Sequence, residues 1–340
     1  MEILVKNTLN ELENFVESLG EKKFRAKQLL SWIYTKSASD FDMMSDIKKD
    51  FREKLKTCAK ILDTKIKTKQ VSSDGTIKYL IEYHDGNVAE TVLMRFDNRS
   101  NLSACVSSQV GCLMGCDFCA TAKRGFFRNL EAYEIISQIL TIQQDTGLKV
   151  TNVVFMGQGE PLNNFENVQK AIKFINEYLM IGIRRITLST CGIAPNIKKL
   201  CDGELIPTLA ISLHCADSQI RSQIMPIERK YNLQELKSSL QYYCDKTQKR
   251  VTLEYILIGG LTDTPQMAQK LCDYMADLKC NVNLIPYNPI GVDKYKKPNK
   301  KDIMIFKYLL ESQGKKVTIR LERGADIDAA CGQLAGKESK

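Results

Sequence analysis

The 340-residue sequence is poor in several things that define large protein classes. No apolar run approaches the roughly 18 residues of a membrane helix, so a membrane span is not expected. The opening stretch, MEILVKNTLNELENFVES, is acidic and amphipathic. It has no basic segment followed by an apolar one, so no secretory leader is expected. Low-complexity tracts and short-period repeats are missing, which sets aside collagen, coiled-coil and disordered classes. Histidine is nearly absent, with only His84 and His214. Cysteine is present, but 12 in 340 residues is below the density of a disulfide scaffold. Without an export signal, these thiols are expected to be mostly reduced and the protein cytoplasmic.

The remaining composition is that of a globular protein, 44% hydrophobic and 26% charged. At roughly 150 residues per domain the length suggests about two domains, although one barrel can use ~250. Lysine and arginine number 49 against 40 acids, a formal charge of +9, which suits a polyanionic partner. The same balance is also common in bacterial proteins of unrelated function.

Residues 1–60 read as helices. Leu9, Leu12, Phe15, Val16 and Leu19 recur at helical spacing, as do Phe24, Leu29, Leu30, Trp32 and Ile33. A third stretch, DIKKDFREKLKTC, opens on Asp46 as its expected N-cap. This charged module is either a folding cap or an RNA-contact device. Over 61–100 the period changes to two, with turns at Asp74-Gly75 and Asp85-Gly86, so a small antiparallel meander is expected. Lys65, Lys67 and Lys69 share one face of its first strand, as a solvated face or as a phosphate-facing stripe. From 101 to 336 apolar strands alternate with helices. The strands are 102–108, 151–156, 185–190, 208–214, 251–258 and 282–286, with a last one at 316–321. That pattern predicts an α/β fold with a parallel sheet: an open, partial (β/α)6 barrel, or a doubly wound sheet as the alternative.

Seven cysteines (Cys58, Cys191, Cys201, Cys215, Cys244, Cys272 and Cys280) lie scattered in apolar surroundings and read as packing residues. Three do not. Cys112, Cys116 and Cys119 form C-x3-C-x2-C, a spacing that can hold three irons of a [4Fe–4S] cluster and leave the fourth iron open. A zinc site normally takes four ligands, and the fourth would have to be a histidine or Cys105, seven residues upstream. An open iron takes an exogenous ligand, and S-adenosylmethionine (SAM) can supply one through its amino and carboxylate groups.

Strand ends collect function in parallel β/α folds. The cysteine loop, the turn Gly157-Gln158-Gly159-Glu160-Pro161, the pair Ser189-Thr190, the residues Ser212 and His214, and Asn288 all follow or end successive strands. All five features are therefore expected on one rim. The glycine turn would let backbone carbonyls approach the charged amino group of SAM, with Glu160 pairing with that group or holding the ribose.

The stretches CVSSQVGCLMGCDFCATAKRGFFRNL, TNVVFMGQGEPLNN, RRITLSTCGIAP, LAISLH, MPIERKYN, RVTLEY, NLIPYNP and GADIDAACGQLAG resemble the RlmN/Cfr branch of the radical SAM methyl synthases, which methylate adenosine in 23S ribosomal RNA. The resemblance runs from about residue 20 to residue 336. It implies a radical SAM barrel with one [4Fe–4S] cluster on Cys112, Cys116 and Cys119. It implies that a first SAM methylates Cys331, and that a radical made from a second SAM then activates this methyl for addition to the adenine ring. Glu90 matches the proton acceptor. Cys105 matches the thiol that releases the covalent protein–RNA adduct, leaving a disulfide with Cys331. A thiolate is the reasonable carrier on chemical grounds, being a strong nucleophile with a usable leaving step. SAM contacts carry over to Gly159, Glu160, Ser189, Ser212, Leu213, His214 and Asn288. Read without the family, Glu90 is a solvent-facing strand carboxylate. Ser189 and Ser212 are then satisfied strand hydroxyls, and His214 is a hydrogen-bonded rim histidine.

The chain departs from the pattern at Gln158, where the family usually has methionine, and at Cys191, read as packing. No basic tail follows GQLAGKESK, which leaves RNA affinity to the N-terminal helices, Lys123-Arg124, Arg128, Arg184-Arg185 and the run DKYKKPNKK. That run carries Lys294, Lys296, Lys297, Lys300 and Lys301, and reads either as phosphate contacts or as a solvated loop. Pro161 and Glu254-Tyr255 match enzymes that methylate C2 of adenosine 2503 in 23S rRNA; the C8-methylating resistance branch is the alternative. A zinc-stapled RNA-binding protein is the alternative from another class. The resemblance also implies tRNA (adenosine 37) as a second substrate, an electron donor such as flavodoxin or ferredoxin, no membrane, and a monomer.

Overall fold

The computed structural model describes residues 1–96, 99–291 and 294–336. Asp293 at the head of the lysine run and residues 337–340 fall outside them. Ten strands make one sheet: β1 Lys65–Val71, β2 Ile77–Glu82, β3 Val88–Phe96, β4 Arg99–Cys105 and β5 Asn152–Phe155. They continue as β6 Ile186–Thr190, β7 Thr208–Ser212, β8 Val251–Leu257, β9 Cys280–Pro286 and β10 Val317–Ile319. Their order in space is their order in sequence. β1 to β4 pair antiparallel and β4 to β10 pair parallel. The meander is therefore continuous with the barrel sheet through the β3–β4 pairing.

Parallel neighbours need long crossovers. Six helices supply them, at Ala132–Thr146, Phe165–Glu177, Ala194–Leu200, Leu233–Thr247, Pro265–Tyr274 and Lys300–Ser312. Several begin where the chain offers a capping side chain. Asn232, Thr264 and Asn299 accept from the backbone N–H groups of Glu235, Met267 and Asp302. Six strand–helix units and a closing strand form the open, partial (β/α)6 barrel. Leu188, Leu209, Ile211, Leu253, Val282 and Leu284 are fully buried in it. Among the described residues no helix is long and apolar enough to cross a membrane.

The N-terminal part is helical, with α1 at Leu9–Ser18, α2 at Phe24–Leu30 and α3 at Lys49–Cys58. Thr8 and Glu11 cap α1 reciprocally. Beyond α2 the helix widens to an i→i+5 pattern over Ser31–Thr35. The module is fastened to the barrel: Gln143 and Gln144 donate to Ser37 Oγ and Ala38 O, and Leu9 N donates to the Tyr178 hydroxyl.

Two local expectations are corrected. Asp46 does not cap α3, whose N-cap position is Lys48 without a side-chain bond; the Asp46 carboxylate instead accepts the Trp32 indole N–H. The lysines of β1 are not a free stripe. Lys69 pairs with Asp145 and Lys67 lies 3.7 Å from Glu82, and an irregularity between Ile66 and Thr68 breaks the strict alternation. Among the packing cysteines, Cys191, Cys201, Cys215, Cys244 and Cys272 are buried, while Cys58 and Cys280 are half-buried.

Candidate active site

The segment after β4 is pinned before it reaches the cysteines. The Gln138 amide both accepts from Ser107 N (2.8 Å) and donates to Ser107 O (2.9 Å). Asn164 donates to Ser108 O and Leu130 O. The chain then forms the short strand Gln109–Gly111, turns through Cys112, Cys116 and Cys119, and enters a five-residue helix at Ala120–Arg124. Cys112 N donates to Gly125 O and Asp117 N to Ile224 O, both at 2.9 Å. The Asp117 carboxylate is held by Lys123, Lys294 and Tyr295. The three half-buried thiols line one cavity. Burial pushes Cys112 up to about 12 and raises Cys116 well above the usual thiol range, with neighbouring thiolates adding to the rise. Such thiols ionise when cationic iron arrives.

The opposite wall comes from the ends of β5, β6 and β7. Gly159 has φ +97° and its absent Cβ would lie 2.5 Å from Gln109 Cβ. The close approach that requires glycine here is to the chain's own Gln109. Glu160 is buried; Oε1 accepts from Leu162 N (3.0 Å) and Oε2 from Cys191 N (2.8 Å). Burial raises its pKa and these bonds work against the rise. Ser189 and Ser212 hydroxyls lie 3.5 Å apart. His214 sits at φ +60° with its ring edge-on to Phe118, centroids 5.0 Å apart. Burial, helped by the Arg221 charge, lowers its pKa to about 3, so the imidazole is neutral. Its Nδ1 is buried without a partner. Leu213 does not line this cavity: its side chain is in the core and its carbonyl accepts from Arg221 Nε (2.9 Å). Asn288 borders an adjoining cavity that shares Cys331. Its amide donates to Cys331 O (3.1 Å), and its Oδ1 is buried without a partner.

The third wall is the C-terminal loop, which folds back over the cysteine turn. Ala120 N donates to Gly332 O (2.7 Å) and Thr121 Oγ1 to Leu334 O (2.6 Å). This brings Cys331 into the thiol-lined cavity together with Cys105 from the end of β4. Both are free thiols. Burial, with a Cys331 thiolate adding to it, pushes Cys105 up to about 12. Glu90 lies outside the cavity lining but behind the same loop. Gly336 N donates to its Oε2 at 2.7 Å, and Gln158 Nε2 lies 3.4 Å from the same oxygen. Gly336 has φ +62°, a left-handed conformation that glycine adopts without strain, and it packs closely on Arg124.

The donor set fits an iron–sulfur cluster with a polar ligand beside it. Three thiols occupy one wall; a buried nitrogen of His214 stands unpartnered at the same cavity, and a buried oxygen of Asn288 at the adjoining one. Comparison with known proteins agrees. Residues 4–61 match the family model "Ribosomal RNA large subunit methyltransferase N-terminal domain", and residues 106–272 match the radical SAM superfamily. A Thermoanaerobacter sp. (strain X514) protein named "Probable dual-specificity RNA methyltransferase RlmN" is 45% identical over 98% of this chain and 97% of its own length. The chain belongs to the RlmN family of radical SAM methyltransferases. A Bacillus subtilis (strain 168) member is also 45% identical, over 97% of this chain and 92% of its own. The crystal structure of a radical SAM methyltransferase from Sphaerobacter thermophilus superposes with a TM-score of 0.94 at 37% identity, covering 99% of this chain and all of that one.

As a member of the RlmN family the protein takes a [4Fe–4S] cluster and SAM as cofactors, which favours the cluster over zinc on the three thiols. One expectation from the bare sequence is overturned: Glu90 does not face solvent but is buried. Gln158, the departure from the usual methionine, reaches Glu90 through both its amide oxygen and its amide nitrogen. Three basic residues went unnoticed in the sequence. Arg320 lines the cavity with Cys331 and lies 3.6 Å from Glu254; the charge of a Cys331 thiolate, ahead of Glu254, raises its pKa. Arg221 is fully buried, bonded to Leu213 O, Cys191 O and Glu228, and so ties the ends of β6 and β7 together. Lys78 is buried beside Glu90. No motif marks any of them.

Proposed function

We propose that this protein methylates C2 of an RNA adenosine, adenosine 2503 of 23S rRNA and adenosine 37 of tRNAs, by way of a methyl group carried on Cys331. The observation that carries this reading is the placement of Cys331 and Cys105 together in the cavity lined by Cys112, Cys116 and Cys119. Adenine C2 is not a nucleophile, so direct displacement on SAM does not serve. A thiolate is a good acceptor for the first methyl, and Arg320 lines the same cavity as Cys331. When bound on Cys112, Cys116 and Cys119, the cluster with SAM would supply the one-electron chemistry, both for activating the sulfur-bound methyl and for the later one-electron oxidation of the adduct.

The chain's own residues do the rest. Asn288 holds the Cys331 carbonyl and so orients its loop. His214, neutral, offers a hydrogen-bonding nitrogen rather than a charge. Once the methylene carbon is bonded to C2, the Glu90 carboxylate takes the C2 proton. Cys105 Sγ, as thiolate, then attacks Cys331 Sγ. The S–S bond forms as the carbon–sulfur bond breaks, and its electron pair stays with the methylene carbon, which takes up a proton to become methyl.

Nucleoside mass spectrometry tests the reading. 23S rRNA is incubated anaerobically with reconstituted protein, SAM and reductant. C2-methyladenosine is expected. C8-methyladenosine would move the protein to the resistance branch, and no methyladenosine in either rRNA or tRNA would overturn the proposal.

A further inference from the structure

We infer that Lys78 is a positioning residue for proton removal, holding the Glu90 carboxylate in a buried ion pair and tying it to the loop that carries Cys331. The inference rests on the reading of Glu90 as proton acceptor.

The sheet register sets up the contact. Lys78 pairs with Val92 and Val92 with Cys105, while Leu80 pairs with Glu90. Directly paired residues share a sheet face, so Lys78, Val92 and Cys105 form one row across β2, β3 and β4, and Glu90 is the diagonal neighbour of Lys78. Lys78 Nζ lies 3.3 Å from Glu90 Oε1, with the two side chains only 10% and 3% exposed. The same ammonium lies 3.4 Å from Asp328 O, three residues before Cys331. The other carboxylate oxygen, Oε2, is taken by Gly336 N and approached by Gln158. Lysine is almost never buried unless paired, and a chain that needed only a filler here would not use an ammonium.

The chemistry gives the pair a purpose. A proton acceptor must be anionic, and burial alone would make a carboxylate hold its proton. A cation at this distance offsets that. Two charged groups face Glu90: Lys78 from β2, and Arg124 from the helix after the cysteine turn, which feels the Glu90 charge. Arg124 spends a donor on Val88 O (3.2 Å), whereas Lys78 meets the carboxylate directly. In the step itself a proton passes from C2 of the adduct to the Glu90 carboxylate. Lys78 stays protonated and makes no bond.

The test follows decay of the covalent protein–RNA adduct against pH, on denaturing gels, with a synthetic 23S rRNA hairpin that carries the target adenosine. Lys78→Met, Lys78→Gln, Lys78→Arg and Glu90→Gln are compared in the reconstituted full-length protein. Cys331 methylation, read by intact mass, serves as the check of folding. Lys78→Met is expected to move the acid limb of the decay profile up by about one pH unit or more, which slows decay about tenfold on that limb. Lys78→Gln should do the same, and Lys78→Arg should restore the wild-type limb. A merely structural lysine would lower the amount of active protein without moving the limb. An unmoved limb in both neutral variants, with Glu90→Gln accumulating adduct, overturns the role of Lys78 alone. If Glu90→Gln accumulates no adduct, the reading of Glu90 fails and the inference falls with it.

Discussion

The parallel and antiparallel halves of the sheet place function differently. In β4 to β10 the rim groups stand at strand ends or in the turns after them, and two buried charges are tied to that backbone: Glu160 by Leu162 and Cys191, and Arg221 by Leu213 and Cys191. In β1 to β3 the polar groups of interest lie within the strands, where Lys78 and Glu90 are buried against each other. The first half builds a rigid receptacle. The second supplies an ion pair whose partners arrive from Gln158 and from the C-terminal loop. Under the proposed reading, binding geometry follows from the repeating fold, and proton handling from the extension fused to it.

The strongest way to break this division is to remove the one residue on which both halves converge. Cys331→Ala should lower RNA methylation by roughly 10³-fold or more, measured by nucleoside mass spectrometry, while reductive cleavage of SAM to 5′-deoxyadenosine persists. Loss of both would mean that the loop builds the receptacle as well. Next in size is the anchor of the parallel half. Arg221→Met leaves Glu228 charged and buried, and should cost about 3–5 kcal/mol in a denaturant titration. A cost under about 1 kcal/mol would show that β6 and β7 are held by packing alone.

Acid sharpens the same contrast through His214. The folded protein keeps this imidazole neutral, with its pKa lowered from 6.5 to about 3. The unfolded chain binds a proton below about 6.5. The stability from this group is therefore complete above pH 6.5 and falls as the pH drops towards 3, by on the order of 3 kcal/mol at pH 4. Subtracting the pH–stability curve of His214→Gln from that of the wild type isolates the effect, and parallel curves would contradict it. The smallest effect is expected at the outer edge of the extension. Lys69→Ala removes an exposed pair with Asp145 and should change stability by less than about 1 kcal/mol. A several-fold loss of RNA affinity in a filter-binding titration would revive the phosphate-facing stripe.

The contrast also explains what could be read before the structure was known. Strand order, crossover helices and the cysteine turn were legible because hydrophobic period and ligand spacing are local. The rim positions Gly159, Glu160, Ser189, Ser212 and His214 followed from strand ends. Glu90 came only through family resemblance: its hydrogen-bond partners lie 68 and 246 residues away, and alternation alone cannot say which strand face will be covered. Asp46 misled for the same reason. It has the right chemistry for a cap, but Trp32 from another helix claims its carboxylate. Leu213 was carried over as a SAM contact, yet its side chain turns into the core and leaves only its backbone near the site.

The claim at the centre of this account is that the methyl group travels on Cys331 and is released by Cys105. The most direct measurement is denaturing electrophoresis, followed by intact mass, of Cys105→Ala after anaerobic reaction with substrate RNA, SAM and reductant. A covalent protein–RNA adduct that maps to Cys331 and does not turn over is the predicted result. Repeated turnover to free methylated RNA by Cys105→Ala, with no adduct, would contradict it.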